Sequence, residues 1–276
     1  MQKMTVTGTL KGGLGNNLFI ISTILAYSMK HNCDYYIPTV IENPHSPDQK
    51  VFYSKNLKYC EYGVIKEVPI GKYGYGYSSD VYYTEPYFHY KEIPKYDCDM
   101  LHLFGYFQSW RYVEPYREEI LKILDIPYEF KEGWCSIHVR RNDYLKLENF
   151  HPVVDAYYLI NAIEEIYNKT SCKNFLVFGD DIDWNKKFFK NIFAYDDNDN
   201  EKDLLNFQFS ENKTGIEDLS LASSCEHSIG SNSSFSWFIY WLNRNENKIG
   251  IMPKKWFGES LPNDTKDLYM PKMILI

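Results

Sequence analysis

Six consecutive residues, His138-Val139-Arg140-Arg141-Asn142-Asp143, bring an imidazole, two guanidiniums and a carboxylate together. The alternating, mostly apolar run Trp134-Cys135-Ser136-Ile137 before them reads as a short buried strand. Adjacent guanidiniums at a strand's end are costly to desolvate without anionic partners. Asp143 can neutralise one, which leaves the other to find an anion, and a phosphate suits a planar fork of donors. A structural Arg–Asp pair closing the strand accounts for the same residues. An imidazole and a carboxylate here also offer two candidates for a general base, His138 and Asp143.

Three further stretches carry compatible chemistry. Gly12-Gly13-Leu14-Gly15-Asn16 follows a first strand over Met4–Leu10 and opens a helix with apolar positions at Phe19, Ile20, Ile24 and Tyr27. Such a turn gathers backbone N–H groups and a positive helix end at one spot, although a plain tight connection would need the same glycines. Asn232-Ser233-Ser234-Phe235 caps a helix running through Asn243, and Asn174–Asp183 is an apolar strand ending in acids.

The elements that would position these groups alternate. Strands are expected over Asp34–Val40, about His102–Phe107, His227–Gly230 and Ile249–Pro253. Helices are expected from Val113 or Pro115 to Leu124, over Pro152–Tyr167, and over Ile216–Ala222 with Thr214 and Glu217 as a capping box. Residues 41–100 read as irregular loops and short strands, and 196–203 as a solvated loop. Asp125–Gly133 is the natural seam. Alternation in both halves predicts an α/β chain of two Rossmann-like domains facing a central cleft, 1–127 and 128–276, with ligands at the carboxyl ends of strands.

Composition narrows the function. The chain has 276 residues, 44% hydrophobic and 24% charged, as expected of a globular protein. A net charge of −7 argues against a general nucleic-acid binder, so a phosphate site must be a local positive pocket. The six cysteines form no CxxC pair and are expected to be reduced thiols in the cytoplasm. No signal peptide is read at the start, and no apolar run approaches the ~20 residues needed to span a bilayer, so no transmembrane segment is expected. The sequons at Asn168, Asn212, Asn232 and Asn263 are then expected to stay unused.

These groups can hold a nucleoside diphosphate lodged between the domains. Arg140, with Arg141, would grip the pyrophosphate from one side. Ser233, Ser234 and the N–H groups of their helix would hold it from another, while Gly13, Leu14, Gly15 and Asn16 close over it. Asp180 or Asp181 could accept from guanine N1–H and N2–H₂. Cations on a departing diphosphate stabilise it as charge develops, which is the chemistry of glycosyl transfer from a nucleotide sugar.

The motifs resemble those of the α-1,2-fucosyltransferases of glycosyltransferase family eleven. GGLGNNLF, GYFQSW at 105–110, SIHVRRNDY at 136–144, FGDD at 178–181 and DLSLASSCEHSIGSNSSFSWF at 218–238 keep family order and span nearly the whole chain. The resemblance implies a GT-B fold, GDP-fucose as donor, a glycan acceptor ending in β-galactose, inversion at the anomeric carbon, and no cofactor or required metal. It places the donor on the 128–276 domain and the acceptor on the 1–127 domain. It implies His138 and Arg140 at the donor, Arg140 on the β-phosphate, Asp180 at guanine, Ser233–Phe235 at the pyrophosphate and Gly13–Asn16 at the cleft. Asn17, Asn142 and Phe238 stand where the family usually has Gln, Gly and Trp. Of these, Asn142 bears on the shape of the loop behind the arginines.

Rival readings remain. Asp181-Ile182-Asp183 is a literal DxD, as in metal-dependent GT-A transferases. A non-catalytic GDP- or sugar-binding domain would keep the same pocket. A dinucleotide oxidoreductase is disfavoured, because GGLGNN lacks the fingerprint spacing.

Overall fold

The computed structural model describes residues 3–39, 41–42, 54–60, 80–193, 205–211, 214–261 and 264–276. These fall into two compact units. The first is Met1–Asp125 with Asp264–Tyr269, and the second is Ile126–Asn263 with Met270–Ile276. The division lies two residues before the expected one at 127. Asp264–Tyr269, expected in the second domain, belongs to the first. Asp267 anchors it there, accepting from the Tyr90 and Trp110 N–H groups through its side chain and its carbonyl.

In the first unit the expected Met4–Leu10 strand divides into β1 (Thr5–Gly8) and β2 (Leu10–Lys11) before helix α1 (Leu14–His31). The expected Asp34–Val40 strand is two short ones, β3 (Asp34–Tyr35) and β4 (Ile37–Pro38). They belong to different sheets, because Tyr36 N–H bonds Val6 while Ile37 N–H bonds Lys58. Then come β5 (Ile41–Glu42), β6 (Tyr59–Cys60), β7 (Asp80–Thr84) and β8 (Met100–Phe104). Among the described residues, β3-β1-β8-β7 form one parallel sheet, with β2-β5 and β4-β6 as separate parallel pairs. Helix α1 is buried over Leu18–Ser28, and Asn32 ends it in a left-handed conformation at φ 51°. The helix expected from Val113 or Pro115 instead begins at α2 (Trp110–Val113), because the Ser109 side chain caps it. After a 3₁₀ turn at Glu114–Tyr116 it resumes as α3 (Arg117–Leu124).

The second unit opens with β9 (Lys131–Val139), longer at both ends than the expected Trp134–Ile137. Parallel neighbours on each side supply its ladder bonds, so polar His138 lies in the strand, opposite Phe178. Helix α4 (Ala156–Thr170) starts four residues later than Pro152, where Asp155 Oδ1 accepts from Tyr158 N at 2.7 Å. There follow β10 (Asn174–Gly179), α5 (Ile182–Ile192), β11 (Asn206–Phe209), α6 (Gly215–Ser224), β12 (Cys225–Ile229), α7 (Ser234–Leu242), β13 (Gly250–Met252) and β14 (Ile274–Leu275). The capping box of Thr214 and Glu217 is present on α6. Among the described residues these strands make one parallel sheet in the order β11-β10-β9-β12-β13-β14. One face of β9 (Cys135, Ile137, Val139) packs into a core with Phe175, Val177, Ile163 and Phe189. His138 and Ser136 therefore face the other way. The solvated loop read at 196–203 lies outside the described residues.

Candidate active site

The carboxyl ends of β9, β10 and β12 bring most of the expected residues together within the second unit. Asp143 faces Arg140, with Arg140 Nε 2.8 Å from Oδ1 and Nη2 2.7 Å from Oδ2. Asp180, just past β10, adds Oδ2 at 3.2 Å from Arg140 Nε and accepts from the Arg141 backbone N–H through Oδ1 at 2.9 Å. Burial works against the Arg140 charge, but the Asp143 hydrogen bonds and the Asp180 charge outweigh it and raise its pKa further. The Arg141 guanidinium lies 4.2 Å from the centre of the Trp184 ring, with Nε 3.7 Å from Asp181 Oδ2.

Asp143, which could neutralise either arginine, holds Arg140, its two oxygens on one guanidinium edge. The other arginine is not left without a carboxylate, since Asp181 stands beside Arg141. Asp181 also caps α5, its side chain accepting from Trp184 N, so this DxD acid has a structural duty. Among the described residues no group of three or more His, Cys, Asp or Glu is arranged to hold a metal ion.

His138 is buried at 7% exposure, with Nδ1 2.7 Å from Ser236 Oγ and its ring tilted against Phe235 at 4.8 Å. Burial, and secondarily the Arg140 charge, push its pKa down to about 3, so the imidazole is neutral near pH 7. The turn from β12 into α7 completes the wall. Ser231 Oγ accepts from Arg140 N–H at 3.2 Å, and Ser231 N–H donates to Ser236 Oγ at 3.0 Å. Asn232 Nδ2 donates to the Trp256 carbonyl, while its buried Oδ1 makes no hydrogen bond among the described residues. Ser233 caps α7 by accepting from Phe235 N–H, and Ser234 is the first residue of that helix. Tyr144 donates to the Asn232 carbonyl at 3.0 Å.

Gly13, Leu14, Gly15 and Asn16 belong to the first unit, where Gly13 precedes α1 and the other three open it. Gly12 has φ +74°, and a Cβ there would lie 2.3 Å from Asn16 Nδ2, so the turn requires glycine. Gln108 Nε2 donates to Asn16 Oδ1 at 2.7 Å, which ties the glycine turn to the GYFQSW stretch.

Sequence reasoning missed Ser231, Ser236, Tyr144 and Trp184 as parts of the wall. The first three lie inside the motifs quoted above, where polar residues framing a buried imidazole were a usable signal. Nothing in the sequence marked the Arg141–Trp184 stack.

Residues 3–275 match the family Glycosyl transferase family 11. The chain belongs to that family. It is 31% identical over 175 residues to the O-antigen biosynthesis glycosyltransferase WbnK of Escherichia coli, covering 56% of this chain and 55% of that protein. It is 30% identical over 167 residues to an α-1,2-colitosyltransferase of Escherichia coli, covering 55% of each. The chain thus spans about half the length of the curated relatives it matches. Among solved structures, POFUT1 in complex with GDP aligns at a TM-score of 0.50 and 12% identity, over 91% of this chain and 98% of that one. A mutant of Arabidopsis thaliana FUT1 in complex with GDP aligns at 0.52 and 10%, over 91% and 70%. The fold of this family 11 chain is GT-B, which sets aside the GT-A alternative. No helix of its described residues is long and apolar enough to cross a membrane.

Proposed function

We propose that this chain transfers fucose from GDP-fucose to O2 of a terminal β-galactose in a glycan acceptor, with inversion at the anomeric carbon and no bound metal. The observation that carries the reading is the unused edge of Arg140. Asp143 occupies the Nε–Nη2 edge, and among the described residues Nη1 makes no hydrogen bond. A guanidinium has a second bidentate edge, Nη1–Nη2, which suits two phosphate oxygens. Family membership supports the reaction class, and GDP in the POFUT1 and FUT1 structures supports the nucleotide.

The bond from the fucose anomeric carbon to the β-phosphate oxygen breaks, and its electron pair leaves with the diphosphate. Arg140, fixed by Asp143 and Asp180, offsets the charge that builds there. Ser234 and the N–H groups opening α7 would hold the pyrophosphate from the side. A neutral His138 with a pKa of about 3 is a weak proton acceptor, and Nδ1 is engaged by Ser236. Its role in this reading is a hydrogen bond to the donor. Asp143 is committed to Arg140, so the acceptor hydroxyl's proton passes to the departing diphosphate.

The α-1,2-colitosyltransferase relative favours a second reading, in which the transferred sugar is colitose. The WbnK relative makes an O-antigen glycan a sensible acceptor. A screen of donors and β-galactoside acceptors, with product linkage read by NMR, tests both. The expected product is α-1,2-fucosylgalactoside, formed equally in excess EDTA. A colitosyl product alone would select the second reading, and GDP binding without turnover on any acceptor would leave a non-catalytic binder.

A further inference from the structure

The first unit has its own cluster of unlike side chains at the carboxyl edge of its four-stranded sheet. Lys11, on β2 just beyond β1, places Nζ 4.1 Å from the Phe104 ring centre and 4.4 Å from that of Tyr106. Both rings stay exposed, Phe104 by 44% and Tyr106 by 38%. Both rings stand at the carboxyl end of β8, the side of an open α/β sheet on which ligands bind.

The loop bearing Tyr106 is built with care. Glu85, directly after β7, accepts through Oε2 from the N–H groups of Tyr106 at 2.8 Å and Phe107 at 3.0 Å. Its other oxygen, Oε1, is buried and makes no hydrogen bond among the described residues. Gly105 makes room for that carboxylate, since a Cβ there would come 2.4 Å from Glu85 Cβ. Phe107 is held at φ +53°, a conformation uncommon for a bulky residue. A turn fastened by a partly buried carboxylate and a left-handed phenylalanine fixes where Tyr106 stands.

We propose that Lys11, Phe104 and Tyr106 form a subsite for a pyranose ring of the acceptor, with Glu85 as the residue that positions it. A pyranose presents an apolar C–H face and a rim of hydroxyls. Aromatic rings take the first, and an ammonium donates to the second. A neutral sugar fits better than a free anion, because the Lys11 ammonium faces two rings and its charge also acts on the Glu85 carboxylate. The inference rests on the transferase reading above and adds to it where the acceptor is held.

The test uses the full chain with lactose as the β-galactoside. Phe104→Ala, Tyr106→Ala and Lys11→Met should each raise the acceptor KM about tenfold, leaving the GDP-fucose KM and kcat within about twofold. Glu85→Ala should do the same. Glu85→Gln should restore the wild-type value, because an amide oxygen still accepts from both N–H groups. An unchanged acceptor KM in the ring variants, or losses confined to kcat, would overturn the subsite.

Saturation-transfer NMR with lactose gives a readout independent of turnover. Lactose signal in the wild type that vanishes in Tyr106→Ala supports the subsite even if no fucose is transferred, and that failure would strike the donor reading alone. Lactose giving no signal with the wild type, or binding of inorganic phosphate instead, would overturn the subsite.

Discussion

Asp143 meets Arg140 edge to edge, one carboxylate oxygen on Nε and the other on Nη2, at 2.8 and 2.7 Å. This fixes the plane of the guanidinium and directs its remaining edge. Lysine cannot reproduce that arrangement, since an ammonium is a point charge with no second edge. Arg140→Lys should therefore weaken GDP binding by about tenfold or more and reduce kcat/KM further, although the charge is kept. Calorimetry and initial rates decide the matter. Full activity in Arg140→Lys would mean that charge alone suffices.

Asp180 ties both arginines to the end of β10, Arg140 through an ion pair and Arg141 through its backbone N–H. A carboxylate so occupied positions cations before it reads a base. Asp180→Ala should weaken GDP and UDP by the same factor, about tenfold, leaving their ratio unchanged. A GDP affinity that falls while UDP affinity holds would assign Asp180 the guanine-reading role that the family resemblance implies.

His138 makes stability depend on pH. Its folded pKa of about 3 lies below the ordinary 6.5, burial being the larger cause. Above pH 6.5 neither state carries the proton and the contribution is fully present. As pH falls from 6.5 towards 3 the unfolded chain binds a proton that the folded chain refuses, and stability drains at up to about 1.4 kcal/mol per pH unit. His102, His151 and His227 are shifted the same way by burial and steepen the loss. Urea midpoints from pH 7 to pH 4.5 should fall in the wild type and fall less steeply in His138→Gln. Parallel slopes would place the proton uptake elsewhere.

Signals that are local in sequence were legible, and signals that depend on distant strands were not. The Thr214–Glu217 box and the Ser233 cap lie within one helical turn, so their chemistry names the helix start. Pro152 suggested a start for α4, but Asp155 supplies the side-chain oxygen that closes the first turn, and it prevails. The ends of β9 could not be read from its own residues, because β10 and β12 decide how far its ladder runs. The same holds for Asp264–Tyr269, whose place in the first unit rests on contacts with Tyr90 and Trp110 far away in the chain. At the site, the residue types were legible from the motifs. The choice of Arg140 over Arg141 as the partner of Asp143 was not, because i,i+2 and i,i+3 neighbours in a loop are equally near on paper.

Gly179 ends β10, paired with Val139 of β9. A Cβ there would stand 2.4 Å from the Val139 carbonyl oxygen and 2.7 Å from Asn185 Nδ2. The carbonyl belongs to the strand that carries the arginines, so it cannot retreat without moving them. Gly179→Ala should cost about 1–3 kcal/mol of stability through this overpacking. Because the strain falls on Val139, one residue before Arg140, GDP affinity should drop as well. Thermal melts with and without GDP measure both effects. A variant that melts with the wild type and binds GDP equally would show that the two strand ends can part without disturbing the Arg140 fork.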